Sequence, residues 1–402
     1  QEQYYEATKE DIELNRPKKK NTDKINNYVD TYAYYCATRA LMEQEGFTFQ
    51  YYFDSDEEKK AYNEQYDELY AACQKKLYSG GYKIYTTIDM DKQKKLQSTV
   101  DDTLAGFTEK NDDGTYNMQG AAVTIDNNTG YVVAIVGGRD QDFNSYTLNR
   151  AFQSHRQPGS SIKPLIVYTP AFERGYDPNT IVDDHKFEGG PSNATNTYAG
   201  KIPLRYAVAK SLNTVAWQVY EQVTPKVGLQ YLKNMNFSSI VKDDYTLATS
   251  LGGFTKGVSP LEMASAYAAL ENDGMFRQPN CIKSIVDADE NVVYSSQMAE
   301  VSIYEKDATR TMTDVLTTVM DSGTGAALKL SNMPSAGKTG TTNDHKDGWF
   351  VGYTRYYTTS VWVGCDYPKS ISNLSGSTYP GQIWKAYMSA IHENLDPMDF
   401  LP

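Results

Sequence analysis

The chain is poor in the residues that build metal or disulfide frameworks: four cysteines and four histidines in 402 residues. None of Cys36, Cys73, Cys281 and Cys365 belongs to a C-x-x-C pair, which argues against a structural zinc site. His155, His185, His345 and His392 stand singly, none at ligand spacing to another. The run Asp183-Asp184-His185 has cation-binding residue types, but it reads as a solvated loop; neither a metal nor a cofactor is expected. No apolar run approaches the ~20 residues needed to cross a bilayer. Positive charge is also short: 39 Lys and Arg against 51 Asp and Glu leave a net charge of −12. That balance argues against nucleic acid as a partner.

Tyrosine is abundant instead, with 33 copies. A ring that buries while its hydroxyl stays solvated or bonded suits half-buried packing. The length suggests two to three domains, each able to bury a core.

Residues 1–80 are charged and aromatic-rich, with helical periodicity. Ile25, Val29, Tyr32 and Cys36 form one apolar stripe; Tyr62, Tyr66, Leu69, Cys73 and Leu77 form another. Cys36 and Cys73 lie on these two apolar faces, so an oxidising compartment would permit a disulfide between them, with two buried thiols as the alternative. Cys281 and Cys365 are expected to be unpaired. Pro17-Lys18-Lys19-Lys20 reads as a solvated basic loop. Gly80-Gly81 marks a boundary, after which Tyr82–Thr87 is strand-like.

Ala121–Ile125 and Tyr131–Val136 flank Asp126-Asn127-Asn128-Thr129-Gly130, a hairpin signal. Pro158-Gly159 breaks the chain before a helix predicted from Ser160 through Phe172. Ala336–Thr342, Gly348–Tyr353 and Thr358–Cys365 read as successive antiparallel strands. Ile383, Trp384, Tyr387, Met388 and Ile391 predict a closing amphipathic helix. Periodicity alone therefore gives a mixed α/β chain.

Three short motifs occur in fixed order: Ser160-Ser161-Ile162-Lys163, Ser211-Leu212-Asn213 and Lys338-Thr339-Gly340. They match S-x-x-K, S-x-N and K-T-G, the pattern of active-site-serine enzymes that acylate on a D-Ala-D-Ala-like amide or a β-lactam. Serine is a poor nucleophile unless a base takes its proton, and a lysine one turn later lies on the same helix face. S-x-x-K recurs at Ser239–Lys242 and Ser335–Lys338, so that motif alone is weak. Only the first copy has both partners downstream.

The flanks sharpen the match. Arg156-Gln157-Pro158-Gly159-Ser160-Ser161-Ile162-Lys163-Pro164 resembles the nucleophile segment of class A penicillin-binding proteins. Lys338-Thr339-Gly340-Thr341-Thr342, followed by Asp347-Gly348-Trp349-Phe350-Val351-Gly352-Tyr353, resembles their third-motif strand and its successor. Tyr85-Thr86-Thr87-Ile88-Asp89 and Gly257-Val258-Ser259-Pro260-Leu261-Glu262-Met263 agree. The resemblance covers about residues 80 to 395. It implies a penicillin-binding/β-lactamase-like transpeptidase fold, an antiparallel sheet flanked by helices plus a helical cluster carrying the nucleophile. Residues 1–80 would then be a mostly helical linker and 81–402 the transpeptidase domain. The family's N-terminal membrane helix and glycosyltransferase domain are not visible, and a chain that opens at Gln1 reads as a trimmed fragment.

The resemblance also implies roles. Ser160 would be nucleophile, Lys163 base, Ser211 proton relay and Asn213 amide anchor. Lys338, Thr339 and Thr341 would bind the substrate carboxylate, with Gly340 permitting close approach. The Thr341 and Ser160 N–H groups would form the oxyanion hole. Each has a bland competitor: Ser160 as a helix N-cap, Lys163 as a surface lysine, Ser211 and Asn213 as loop residues, Lys338 as an edge charge. Trp349 reads as core, and Asp347 has no role assigned.

The expected activity is D,D-transpeptidation at the extracellular face of a bacterial cytoplasmic membrane. Partners would be peptidoglycan stem peptides, donor and amine acceptor, β-lactam antibiotics, and a cell-wall synthesis complex; the membrane would be met only through the missing anchor. A D,D-carboxypeptidase, a serine β-lactamase and a non-catalytic β-lactam-binding sensor or scaffold are the alternatives. Against the lactamase, no E-x-x-L-N segment lies between Asn213 and Lys338, and Glu262 reads as a helix-surface carboxylate.

Overall fold

A computed structural model describes residues 27–140 and 147–402. Ile25 and the Pro17–Lys20 run lie outside the described residues. Helix α1 (Asn27–Gln44) and helix α2 (Asp56–Ser79) open the chain. α2 begins where Ser55 Oγ accepts from Glu58 N–H at 3.1 Å, with Asp56, Glu57 and Glu58 in the favourable first turn. The α1 stripe is buried at Val29, Tyr32 and Cys36, whereas on α2 only Cys73 and Leu77 are buried and Tyr62, Tyr66 and Leu69 are half-buried. Strand β1 (Lys83–Thr86) follows, then helix α3 (Met90–Leu104).

The sheet that organises the molecule has five antiparallel strands. They are β2 (Met118–Asp126), β3 (Val132–Val136), β8 (Ala336–Thr341), β9 (Asp347–Tyr353) and β10 (Tyr357–Cys365), in the order β8-β9-β10-β2-β3. The β2–β3 hairpin turns where Asp126 Oδ1 accepts from the N–H groups of Asn128 and Thr129. Gly130, at φ +79°, supplies the left-handed residue that closes the turn.

Alternation along each strand sends side chains to two cores, as the pleat requires. Ala121, Val123, Trp349, Val351 and Trp362 enter the larger core. It is shared with the nucleophile segment and helix α5 (Pro260–Glu271). Ala122, Phe350, Val361 and Val363 enter the second core with α3 and the closing helix α7 (Tyr379–Ile391), where Ile383, Trp384, Tyr387 and Met388 are buried. Helix α6 (Lys306–Ser322) packs against β8, and helix α4 (Asn213–Val223) packs against strand β4 (Ile181–Asp184), which pairs with β5 (Gly200–Pro203).

β1 pairs with strand β6 (Ile282–Val286), which pairs with strand β7 (Val292–Ser295). α1 packs on this small sheet and on β3, so Tyr32 and Cys36 share the larger core with Cys281 and Ile285. The disulfide permitted between Cys36 and Cys73 is not formed. All four cysteines are free and buried, and Cys36 engages the thiol of Cys281, not that of Cys73. Packing α1 against β6 decides this, a contact between segments far apart in the sequence.

Candidate active site

The predicted helix from Ser160 to Phe172 is present as three joined pieces of different pitch. Gly159–Ile162 is a 3₁₀ turn, Pro164–Tyr168 a π-type turn, and Thr169–Phe172 α-helical. Pro164 explains the change. It has no N–H to give the Ser160 carbonyl, so Lys163 N–H bonds that carbonyl in the tighter 3₁₀ manner. Thr169 N–H then reaches back to the Pro164 carbonyl. In a 3₁₀ turn residues i and i+3 eclipse, which stacks Lys163 directly over Ser160. Ser160 is not the N-cap; Pro158 is, and Ser160 sits inside the first turn.

Tyrosines clamp this segment from behind. Tyr267 on α5 donates to the Ser161 carbonyl at 2.6 Å, and Tyr304 donates to the Leu165 carbonyl at 2.8 Å. In front, β8 passes close. A Cβ on Gly340 would lie 2.4 Å from the Pro158 carbonyl oxygen, and one on Gly159 would lie 2.6 Å from that of Thr341. Gly159 also holds φ at +53°. These two glycines therefore set the approach of the third motif to the first.

The three motifs meet at Ser211, which bonds both Lys163 and Lys338. Lys163 is fully buried, and its Nζ donates to the Ser211 carbonyl at 2.9 Å, to Asn213 Oδ1 at 2.8 Å and to the Leu212 carbonyl at 3.4 Å. Lys338, fully buried at the edge strand, donates from Nζ to Ser211 Oγ at 2.8 Å. It is not a solvated edge charge. Neither lysine has a carboxylate partner among the described residues. Burial drives Lys163 well below the usual lysine range, with the nearby Lys338 charge adding to it. Burial alone brings Lys338 down to about 7. Ser211 stands between them in the left-handed region, at φ +58°. That uncommon backbone aims its carbonyl at one lysine and its hydroxyl at the other.

Ser160 is half-buried at the head of the same turn, and its hydroxyl has no hydrogen-bond partner among the described residues. Thr339 Oγ1 lies 2.7 Å from Thr324 Oγ1, and Thr341 Oγ1 accepts from Gly376 N–H at 3.1 Å. Every sequence-predicted site residue thus falls in one neighbourhood.

Other supporting residues carried weak or no signal in the sequence. Asp347 accepts Arg156 Nε at 2.7 Å and Trp362 Nε1 at 2.9 Å, tying the nucleophile segment to β9 and β10. Arg156 and Asp347 lie in the quoted flanks and Trp362 outside them, and only the fold brings the three together. Trp349 is core, as expected, and its Nε1 donates to the Gln157 carbonyl at 2.8 Å. Asp184 departs from the solvated-loop reading of Asp183-Asp184-His185: it is 1% exposed, while Asp183 and His185 face solvent. Among the described residues no group of three His, Cys, Asp or Glu side chains is placed to hold a metal, and no helix is long and apolar enough to cross a membrane.

The chain is similar to known proteins. Residues 120–389 match the family model described as the penicillin binding protein transpeptidase domain. "Penicillin-binding protein 4" of Bacillus subtilis is 32% identical over 390 residues, covering 96% of this chain and 60% of the relative. "Penicillin-binding protein 1A" of Clostridium acetobutylicum is 30% identical, covering 93% of this chain and 50% of the relative. The chain thus spans only about half the length of these curated relatives. Among solved structures, PonA1 of Mycobacterium tuberculosis in complex with penicillin V is similar at TM-score 0.74 and 24% identity, covering 92% of this chain and 95% of that one. With two thirds of its residues inside the family model and its motifs gathered around Ser211, the chain belongs to the penicillin-binding protein transpeptidase domain family.

Proposed function

We propose that this domain is a D,D-transpeptidase that cross-links peptidoglycan stem peptides through an acyl-enzyme on Ser160, and that β-lactams trap it there. The observation that carries the reading is the buried, carboxylate-free Lys163 on the same turn as Ser160, held by Ser211 and Asn213. A lysine kept low by burial is neutral often enough to act as a base.

In this reading Lys163 Nζ takes the Ser160 hydroxyl proton as Oγ attacks the carbonyl of the penultimate D-Ala. The peptide C–N bond then breaks, the D-Ala nitrogen receives a proton relayed through Ser211, and an ester to Ser160 remains. An amine from a second stem attacks that ester, forms the cross-link and frees Ser160. Asn213 anchors the substrate amide. Lys338, Thr339 and Thr341 attract its carboxylate, and Gly340 keeps the strand edge open for it. The N–H groups of Ser160 and Thr341 stabilise the oxyanion. No cofactor enters any step. Residues 1–80 serve as the linker of a longer, membrane-anchored parent and 81–402 as the catalytic unit.

The test is covalent labelling with a fluorescent penicillin, read by intact mass. One adduct is expected on Ser160, absent in Ser160→Ala. Lys163→Ala should label ~10²–10⁴-fold more slowly, the range for loss of a general base. Labelling that survives Ser160→Ala overturns the assignment.

A further inference from the structure

Helix α4 begins at Asn213 without a cap from its own preceding residue, because Leu212 offers no side-chain acceptor. The first N–H groups of a helix need a partner. Asn193, from the connection between β4 and β5, supplies it: its Oδ1 accepts from Asn213 N–H at 2.8 Å and from Thr214 N–H at 3.3 Å. Its neighbour Ser192 accepts from Asn213 Nδ2 at 2.9 Å through its carbonyl. Backbone and side chain of Asn213 are therefore held by two consecutive residues of one loop.

Asn193 is itself held. It is 3% exposed, and its Nδ2 donates to Asp184 Oδ1 at 2.7 Å and to the Thr197 carbonyl at 3.0 Å. Both donors and both acceptor positions of the amide are used, which fixes which end faces α4. Asp184 Oδ1 also accepts from Thr214 Oγ1, and Oδ2 accepts from Ala199 N–H at 2.7 Å. This buried carboxylate has no cationic partner among the described residues. Three donors and the positive end of α4 balance its charge instead. The chain of contacts runs from Asp184 through Asn193 to Asn213, whose Oδ1 receives Lys163 Nζ.

Building on the acylation reading above, we infer that Asn193 and Asp184 are positioning residues: they hold Asn213, and through it the Lys163 amine, in line with Ser160. Neither touches Lys163 directly. A catalytic group displaced by about 1 Å costs on the order of 10²-fold in rate, so releasing Asn213 should show in acylation.

The experiment measures the acylation rate constant with fluorescent penicillin, alongside melting temperature, in a double-mutant cycle. Asn193→Ala should slow acylation about 10- to 100-fold; it should also lower the melting temperature, because two α4 N–H groups and Asp184 lose a partner, so rates are compared well below the transition. In an Asn213→Ala background the same substitution should slow it no further, since nothing is left to position. Asp184→Asn, which keeps the shape but offers one acceptor oxygen to donors that used two, should slow acylation in the same direction. A wild-type rate in Asn193→Ala or Asp184→Asn overturns the inference, and so does equal slowing by Asn193→Ala in both backgrounds. Wild-type protein that fails to label Ser160 at all would instead overturn the acylation reading on which this one rests.

Discussion

Lys338 Nζ donates to Ser211 Oγ at 2.8 Å across the join between the edge strand of the sheet and the helical side of the molecule. The same serine gives its carbonyl to Lys163 at 2.9 Å. Two lysines buried around one serine, with no carboxylate between them, have physical consequences that can be measured without substrate.

Stability should depend on pH through Lys338. Its folded-state pKa of about 7 lies below the ordinary value of 10.5. Between those values the unfolded chain binds the proton that the folded protein does not, so stability rises with pH across that window. Below about 7 both states are protonated and the penalty is complete. One such group gives a slope of at most about 1.4 kcal/mol per pH unit. Urea unfolding of wild type and Lys338→Met at several pH values should show the smaller slope in the variant. Equal slopes would show that Lys338 titrates normally.

Removing the Asp347 carboxylate should destabilise the fold strongly. Arg156 and Asp347 side chains are 12% and 8% exposed, and Trp362 donates to the same carboxylate. Asp347→Ala leaves the guanidinium buried without its partner, a defect worth about 3–5 kcal/mol. The denaturation midpoint reads this directly. The double variant Arg156→Met/Asp347→Leu should recover part of the loss, because an apolar pair leaves no orphaned charge. A loss below about 1 kcal/mol for Asp347→Ala would mark the pair as solvated.

The penicilloyl ester should be long-lived. Rapid hydrolysis needs a positioned base to activate water on the ester, a glutamate in class A β-lactamases, and here Glu262 is engaged elsewhere. It forms a capping box at the start of α5, accepting from Ser259 N–H at 2.7 Å, and it accepts from Ser238 N–H at 2.7 Å. Excess chromogenic cephalosporin should release one equivalent in a burst, followed by a very slow rate. Sustained turnover would make the protein a β-lactamase.

Four thiols should be found by alkylation of unfolded protein without reductant, and almost none in the folded protein, since all four are buried. Peptide mapping that returns Cys36 and Cys73 joined would contradict the packing of α1 on β6.

Local order was legible from the residues because it is set locally. The strands read over Ala336–Thr342 and Gly348–Tyr353, the Asp126–Gly130 turn and the stripe of α7 each depend on neighbours a few positions apart, and each element is present. The nucleophile helix was legible in position and not in pitch. Its pitch depends on Pro164 denying a hydrogen bond to Ser160, and on tyrosines arriving from Tyr267 and Tyr304. Asp184 shows the limit most clearly: beside Asp183 and His185 it has the composition of a solvated loop, yet Asn193, Thr214 and Ala199 enclose it.

By itself, then, the sequence determined which residue types and motifs exist, in what order, and on which strands and helices they ride. Tertiary structure decided what those residues are chemically. Lys163 and Lys338 become poor ammonium ions only because separate segments close over them and exclude water. Cys36 meets Cys281 instead of Cys73, and Asp347 meets Arg156, because burial and pairing are made by contacts distant in the chain, which no local pattern encodes.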